Sequence, residues 1–241
     1  MWGHEAEKQA GVEPPDPHAV PWTARDVALG VALVGLMLVI AIVLAFLAQY
    51  LSLDLNLGLI VSLGEILLLG PALYLTLRKY QVGWGALGLR VFKIDSIGLG
   101  CGLMLISFAF NFLYAMFLAL FGLRVQADLM PILAELSSPW LLLVGGAIVA
   151  PVIEELFFRG FVFAGLRRGY GWRKAALMSS ALFALIHFTP TAIIPIFILG
   201  YIFAYLYQRS NSIWPPILMH AATNALALGL AYVSTIIDLP V

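Results

Sequence analysis

The chain has 241 residues, of which 62% are hydrophobic and 11% charged, and its mean hydropathy is +0.99. A soluble domain is about half apolar and about a quarter charged, so this composition predicts an integral membrane protein. Its 13 basic and 13 acidic residues cancel, which excludes the broad basic surface that nucleic acid requires. The single cysteine, Cys101, excludes an intramolecular disulfide and a multi-cysteine metal site, and its apolar surroundings predict an inert buried thiol.

Residues 1–24 form a polar, proline-containing segment that predicts a short tail without a cleavable signal peptide. Apolar runs long enough to cross about 30 Å of hydrocarbon then follow one another. We therefore expect residues 25–241 to form a single transmembrane domain. We expect an all-α bundle of about seven transmembrane helices with a polar cavity inside the membrane. The residues 174–208 are either two short spans or a re-entrant pair. The predicted spans are 26–49, 57–78, 97–122, 140–166, 174–189, 191–208 and 213–236.

The basic residues predict how these helices are oriented. Of the 13 Lys and Arg residues, all but Arg124 and Arg159 fall on one side of the seven-span arrangement or in its N-terminal tail. Cytoplasmic loops of membrane proteins carry the excess of basic residues, so the N-terminus is expected in the cytoplasm and the C-terminus outside. In a prokaryote this would be a protein of the plasma or inner membrane.

The fourth span carries its own structural signals. Ser138 is an expected N-cap for this helix, as Ser212 is for the seventh. Pro151 lies three residues before Glu154, where it is expected to kink the helix and free a backbone carbonyl beside the acidic residues. Proline is also common in membrane helices without such a role.

Three charged residues, Glu154, Glu155 and Arg159, interrupt the fourth apolar run. An ionised group in hydrocarbon costs at least about 2.5 kcal/mol, so each of them needs a partner or a function. On a helix Glu155 and Arg159 share a face at spacing i, i+4, whereas Glu154 lies about 100° away. The economical interpretation pairs Glu155 with Arg159 and leaves Glu154 for another role. A buried ion pair that only fixes helix packing is the alternative, but it does not account for the second acid.

Polar residues also occur in the later runs. His187, taken alone, would be a hydrogen-bonded core histidine. His220 and Asn224 share one helix face, and they could be a helix–helix hydrogen-bonding pair. The charged residues of the fourth run, His187, and the pair His220 and Asn224 lie in successive apolar segments. Together they favour an active site inside the membrane. Elsewhere, Asn111 is expected to form a helix–helix hydrogen bond. Glu65 either lines the cavity, pairs with Arg159 or supports helix packing.

These residue types suffice for hydrolysis without a covalent intermediate. A carboxylate can activate water, a neutral histidine can hold the water or carry its proton, and a histidine and an asparagine can stabilise an oxyanion. Ser179 and Ser180 lack the G-x-S-x-G context of a nucleophilic serine. Glu154, His187 and His220 also resemble a catalytic zinc set, although no H-E-x-x-H motif occurs. Metal-bound water and carboxylate-activated water are therefore both open at this point.

Three motifs stand in order within the apolar helices: Glu154-Glu155-x-x-x-Arg159, Phe183-x-x-x-His187 and His220-x-x-x-Asn224. This ordered set resembles the three motifs of the CPBP family, which comprises CAAX proteases and bacteriocin-processing enzymes also called Abi or Rce1-like intramembrane proteases. The resemblance covers about residues 141–230, which would form the catalytic core. Each motif alone is weak evidence, whereas the ordered set is specific.

The resemblance implies roles for the individual residues. Glu154 would activate water with His187 as its partner, and His220 and Asn224 would form the oxyanion hole. The two remaining motif residues, Glu155 and Arg159, would support the site.

The resemblance also implies an intramembrane endopeptidase acting in a lipid bilayer on a membrane-associated peptide or protein. Prenylated CAAX tails are one class of substrate; bacteriocin maturation and removal of a sorting helix are others. No cofactor is expected, with zinc as the alternative. A membrane binding or transport protein that uses the buried cluster for ions or protons is the rival function. The chain lacks the inverted repeat that many such transporters show. Intact motifs likewise argue against a non-catalytic immunity or chaperone-like protein.

Overall fold

The computed structural model describes residues 18–53, 57–125 and 139–237. Every regular element within these ranges is helical, which confirms the all-α prediction. Most of the expected N-terminal tail and the expected N-cap Ser138 lie outside them. The α-helices are α1 (Ala24–Tyr50), α2 (Leu57–Leu73), α3 (Asp95–Ala119), α4 (Pro139–Val144), α5 (Ala150–Glu155), α6 (Ala164–Leu185), α7 (Ile193–Ser210) and α8 (Trp214–Ile237). Shorter π-helical turns occupy Tyr74–Arg78, Gly145–Val149 and Leu156–Phe163, and 3₁₀ turns occupy Trp84–Leu87 and Pro190–Ala192.

Several helices have the properties of membrane spans. In the part of the chain that is described, four are long and apolar enough to cross a bilayer: Ala24–Tyr50, Asp95–Ala119, Pro190–Ser210 and Trp214–Val233. Together with the composition, they identify an all-α membrane protein. The count of seven spans stays a prediction, because the second and fourth expected spans are each divided into α-helical and π-helical pieces. Gly171, at φ 74°, also breaks α6 into two parts.

The outward faces of these helices are apolar, as expected for side chains that contact lipid rather than a protein core. Phe46 on α1, for example, is 68% exposed. Cys101 lies on such a face of α3 and is exposed, so the prediction of a buried thiol was wrong. An apolar run in a membrane helix does not distinguish a lipid-facing position from a buried one, because both environments are apolar.

The π-helical turn Leu156–Phe163 forms the centre of the core, and all eight of its residues are buried. Side chains from other parts of the chain donate hydrogen bonds to its carbonyls. Trp22 Nε1 donates to the carbonyl oxygen of Phe161 at 3.0 Å, and Ser179 Oγ donates to that of Phe158 at 2.8 Å. These bonds fix the turn that begins directly after Glu154 and Glu155, and π turns often occur at functional sites.

The second π turn, Gly145–Val149, shows the effect of Pro151. The N–H of Ala150 donates to the carbonyl of Gly145, five residues earlier. Pro151 has no N–H, so it cannot donate in the same way to the carbonyl of Gly146. That carbonyl instead accepts a hydrogen bond from Asn224 Nδ2 at 2.9 Å. Pro151 thus follows a π turn in which the carbonyl of Gly146 has no helical partner and instead accepts a hydrogen bond from α8.

A polar cluster anchors the start of α1. The backbone N–H and the hydroxyl of Thr23 donate to the carboxylate of Asp26 at 2.9 and 3.0 Å. The same carboxylate accepts from Lys79 Nζ at 2.5 Å and from the Tyr80 hydroxyl at 2.8 Å. These hydrogen bonds to Asp26 raise the pKa of both Lys79 and Tyr80. The cluster therefore ties α1 to the residues that follow the π turn Tyr74–Arg78.

Close packing at Gly160 supports a first test of this fold. A Cβ atom at Gly160 would lie 2.8 Å from the backbone oxygen of Leu87, which cannot rotate away. We expect Gly160→Ala to destabilise the protein by about 1–3 kcal/mol, because the clash is with backbone. Gly169→Ala is the matched control, since nothing lies within 4 Å of a Cβ there. Thermal unfolding in detergent should show a lower midpoint for Gly160→Ala alone; equal midpoints for the two variants would contradict this packing.

Candidate active site

A cavity of about 270 Å³ lies between the segment Gly145–Glu155 and the helices α6, α7 and α8. Its wall includes all four residues that the sequence predicted as catalytic: Glu154, His187, His220 and Asn224. The remaining wall is mostly apolar, as is usual for a small-ligand site with a few convergent polar groups. The predicted supporting residues, Glu155 and Arg159, lie behind this wall.

Glu155 and Arg159 form an ion pair in the protein interior. Both side chains are 0% exposed, and Arg159 Nη1 lies 2.8 Å from Glu155 Oε1. Arg159 Nη2 donates to the carbonyl of Gly200 on α7 at 2.9 Å. The guanidinium carbon also lies 4.6 Å from the ring centroid of Phe183 and 5.3 Å from that of Phe203. The charge of Arg159 is therefore compensated by a carboxylate, a carbonyl and aromatic faces.

His220 joins this pair to the cavity. Its Nδ1 lies 2.9 Å from Glu155 Oε1, and its Nε2 lies 3.5 Å from Glu154 Oε2. An ionised carboxylate only accepts hydrogen bonds, so the Nδ1 atom that faces Glu155 carries a hydrogen. The ring also stacks on Phe203 at a centroid distance of 4.9 Å. Glu155 thus orients His220 so that Nε2 points toward Glu154.

Glu154 differs from Glu155 in its partners. Its side chain is 13% exposed and lies on the cavity wall. Within the described residues, Arg159 forms its ion pair with Glu155 and not with Glu154. Its Oε2 atom is buried and makes no hydrogen bond within the described part of the chain. A buried carboxylate oxygen of this kind is a strong hydrogen-bond acceptor that a reactant in the cavity could reach.

His187 and Asn224 each use one polar atom for positioning. His187 Nδ1 lies 2.7 Å from the carbonyl oxygen of Phe183, which only accepts, so Nδ1 carries the hydrogen and a neutral ring has its lone pair on Nε2. Asn224 donates one amide hydrogen to the carbonyl of Gly146. Its amide group has a second hydrogen. Each side chain is therefore held in place and keeps one polar atom available.

The described residues do not fit a catalytic zinc site. No group of three or more His, Cys, Asp or Glu side chains in these ranges converges on a point where one metal ion could bind. The candidate set Glu154, His187 and His220 shares a cavity but not this geometry. No step of the mechanism below is therefore assigned to zinc.

Sequence reasoning missed several contacts of the site. It paired Glu155 only with Arg159, whereas Glu155 also binds His220 from a helix 65 residues away. It did not predict the carbonyls of Gly146 and Gly200 as acceptors, although Pro151 indicated a freed carbonyl nearby. The side chain of Glu65 lies outside the described residues.

The fold and the site define an all-α membrane protein with a buried acid and histidine cluster. Residues 136–226 match the family model described as "Type II CAAX prenyl endopeptidase Rce1-like". This match is to the same family that the three ordered motifs resemble.

Two curated relatives are similar to the chain. It is 30% identical over 142 residues to "Putative membrane peptidase YdiL" of Bacillus subtilis (strain 168), covering 56% of this chain and 58% of that protein. It is 32% identical over 78 residues to "UPF0177 protein YxdF" of Lactococcus lactis subsp. lactis (strain IL1403), covering 32% of this chain and 42% of that protein. The chain thus spans less than two thirds of either relative. No solved structure matches it.

Proposed function

We propose that the protein is an intramembrane endopeptidase that hydrolyses peptide bonds of membrane-associated substrates. One observation carries this proposal: the buried Glu154 Oε2 has no hydrogen bond within the described residues and lies 3.5 Å from His220 Nε2 on the cavity wall. The match of residues 136–226 to the Rce1-like family and the similarity to a protein named as a membrane peptidase support it.

In the proposed reaction, Glu154 acts as the general base. Its carboxylate takes a proton from a water molecule while the water oxygen attacks the carbonyl carbon of the scissile peptide bond. A tetrahedral intermediate with a negatively charged oxygen forms. Its collapse breaks the C–N bond, and the proton taken from water passes to the leaving amine. His187, through Nε2, holds the attacking water or carries that proton.

The oxyanion is stabilised from α8 in this scheme. The second amide hydrogen of Asn224 donates to it, because the first is already bound to Gly146. His220 donates through Nε2 in the form that carries a hydrogen on both ring nitrogens, and the bond from Nδ1 to Glu155 holds the ring in place. Arg159 holds Glu155 in position. The donors are fixed before substrate binds, which is the property that makes an oxyanion hole effective.

The proposal is tested with purified protein in liposomes and a quenched fluorescent peptide that carries an apolar membrane segment. We expect cleavage of this peptide, at the same rate with and without a metal chelator. Prenylated and unprenylated versions of one substrate distinguish CAAX-type processing from the processing of unmodified membrane peptides. Chelator-sensitive cleavage restored by zinc would contradict the metal-free mechanism. No cleavage together with ion or proton movement across the liposome membrane would contradict the peptidase function.

A further inference from the structure

A second cavity, of about 350 Å³, adjoins the candidate active site. It lies between α3, α7 and α8. Its volume falls in the range of about 300–1,000 Å³ that is usual for ligand sites. Four residues line both cavities: Ile196, Leu199, Thr223 and Ala227. The two cavities therefore share a wall, and the second lies farther toward the C-terminal end of α8.

The second cavity is mostly apolar, with two polar side chains on α3. Ser107 and Asn111 are spaced i, i+4 and face it together. Neither makes a hydrogen bond to another described residue, so the expected helix–helix hydrogen bond of Asn111 is absent from the described part of the chain. Thr223, by contrast, already donates to the carbonyl of Met219 at 2.9 Å.

A substrate inside a membrane needs such polar groups. A peptide bond in an intact helix has its N–H and C=O bound within the helix, so the segment around the scissile bond has to unwind before attack. Unwinding exposes backbone N–H and C=O groups, and each one left unpaired in hydrocarbon costs several kcal/mol. Apolar walls with a hydroxyl and a carboxamide suit apolar side chains on an unwound backbone.

We propose that the second cavity binds the unwound, apolar peptide segment on one side of the scissile bond, with Ser107 and Asn111 hydrogen-bonding its backbone. This inference rests on the proposed peptidase function. It assigns the substrate class as an apolar membrane segment, and it assigns Asn111 a role in substrate binding. The occupant follows from the adjacency of the two cavities: residues such as Thr223 line both, so the second cavity is the space next to a peptide bound at Glu154.

Disulfide cross-linking tests this position directly. The chain has one cysteine, so Cys101→Ala gives a cysteine-free background, and Glu154→Gln in that background prevents cleavage. Ala115→Cys places a thiol in the second cavity, and Leu113→Cys, at a 64% exposed position of α3 that does not line it, is the matched control. The probe is the same apolar peptide, with one cysteine moved along both sides of the bond that the unmutated protein cleaves.

We expect Ala115→Cys to cross-link to peptide positions on one side of the scissile bond only, and more strongly than Leu113→Cys does. Equal cross-linking by the two variants, or by both sides of the peptide, would overturn the inference. In that case cleavage by the unmutated protein would still stand as evidence for the proposed function. If the unmutated protein cleaves no peptide, the proposed function fails and the inference fails with it.

The kinetics of Asn111→Leu test the hydrogen bonds separately. Loss of one hydrogen bond to the bound backbone should lower kcat/KM by about threefold to tenfold, mainly through a higher KM. Leu113→Ala should leave both constants unchanged. A parent-like KM for Asn111→Leu would overturn the assigned role of this residue.

Discussion

Glu154→Gln is expected to lower the rate of peptide cleavage by about 10²–10⁴-fold, the usual contribution of a general base. The substitution keeps the size and shape of the side chain but replaces the carboxylate with an amide, which is too weak a base to activate water. Because Glu154 Oε2 makes no hydrogen bond within the described residues and the amide keeps the shape of the side chain, we expect the fold to be retained. Cleavage of the quenched peptide in liposomes measures the rate, and thermal unfolding in detergent measures the fold.

The adjacent acid provides the matched control. Glu155→Gln removes the charge that pairs with Arg159 and that orients His220, so it should lower the unfolding midpoint as well as the rate. Glu154→Gln should lower the rate with a midpoint close to that of the unmutated protein. Cleavage at the unmutated rate by Glu154→Gln would show that another group activates water.

The second large effect is expected from Arg159→Leu, which should destabilise the protein by about 3–5 kcal/mol. Arg159 is 0% exposed and compensates the buried charge of Glu155. Its removal leaves this carboxylate with His220 as its remaining partner and leaves the carbonyl of Gly200 without its donor. The unfolding midpoint in detergent should fall accordingly, and cleavage should fall with it.

Two further variants separate the ion pair from general effects of losing an arginine. Arg168→Leu removes an exposed charge nearby and should change stability by no more than about 0.5 kcal/mol. The double variant Glu155→Leu with Arg159→Leu should be more stable than Arg159→Leu alone, because no unpaired charge is left buried. If Arg159→Leu and Arg168→Leu unfold at the same temperature, the buried pair does not stabilise this fold.

Local spacing made part of the site predictable. Residues at i, i+4 share a helix face whatever the neighbouring helices do, so Glu155 with Arg159 and His220 with Asn224 could be grouped from the sequence. The same argument separated Glu154 from Arg159, and the structure has Arg159 bound to Glu155. A membrane protein followed from composition alone, because so few charged residues cannot cover a soluble surface, and the length of the apolar runs indicated helices.

Contacts between distant segments were not predictable in this way. The bond between His220 and Glu155 joins α8 to α5, and it depends on how those helices are placed against each other. Cys101 and Asn111 on α3 were both misjudged, because the sequence does not say which face of an apolar helix meets protein, a cavity or lipid. The π turns within the second and fourth expected spans were also missed, and one of them, Leu156–Phe163, is fixed by a distant partner, Trp22.

The sequence by itself determined the class of protein, the match of residues 136–226 to the Rce1-like family model and the polar residues that interrupt the apolar runs. It could do so because hydropathy and helical spacing are local properties of the chain. Only the tertiary structure decided which of the two acids is paired, what orients His220, and that a second cavity adjoins the first. These features depend on atoms from several helices meeting within hydrogen-bond distance, and no local pattern encodes such distances.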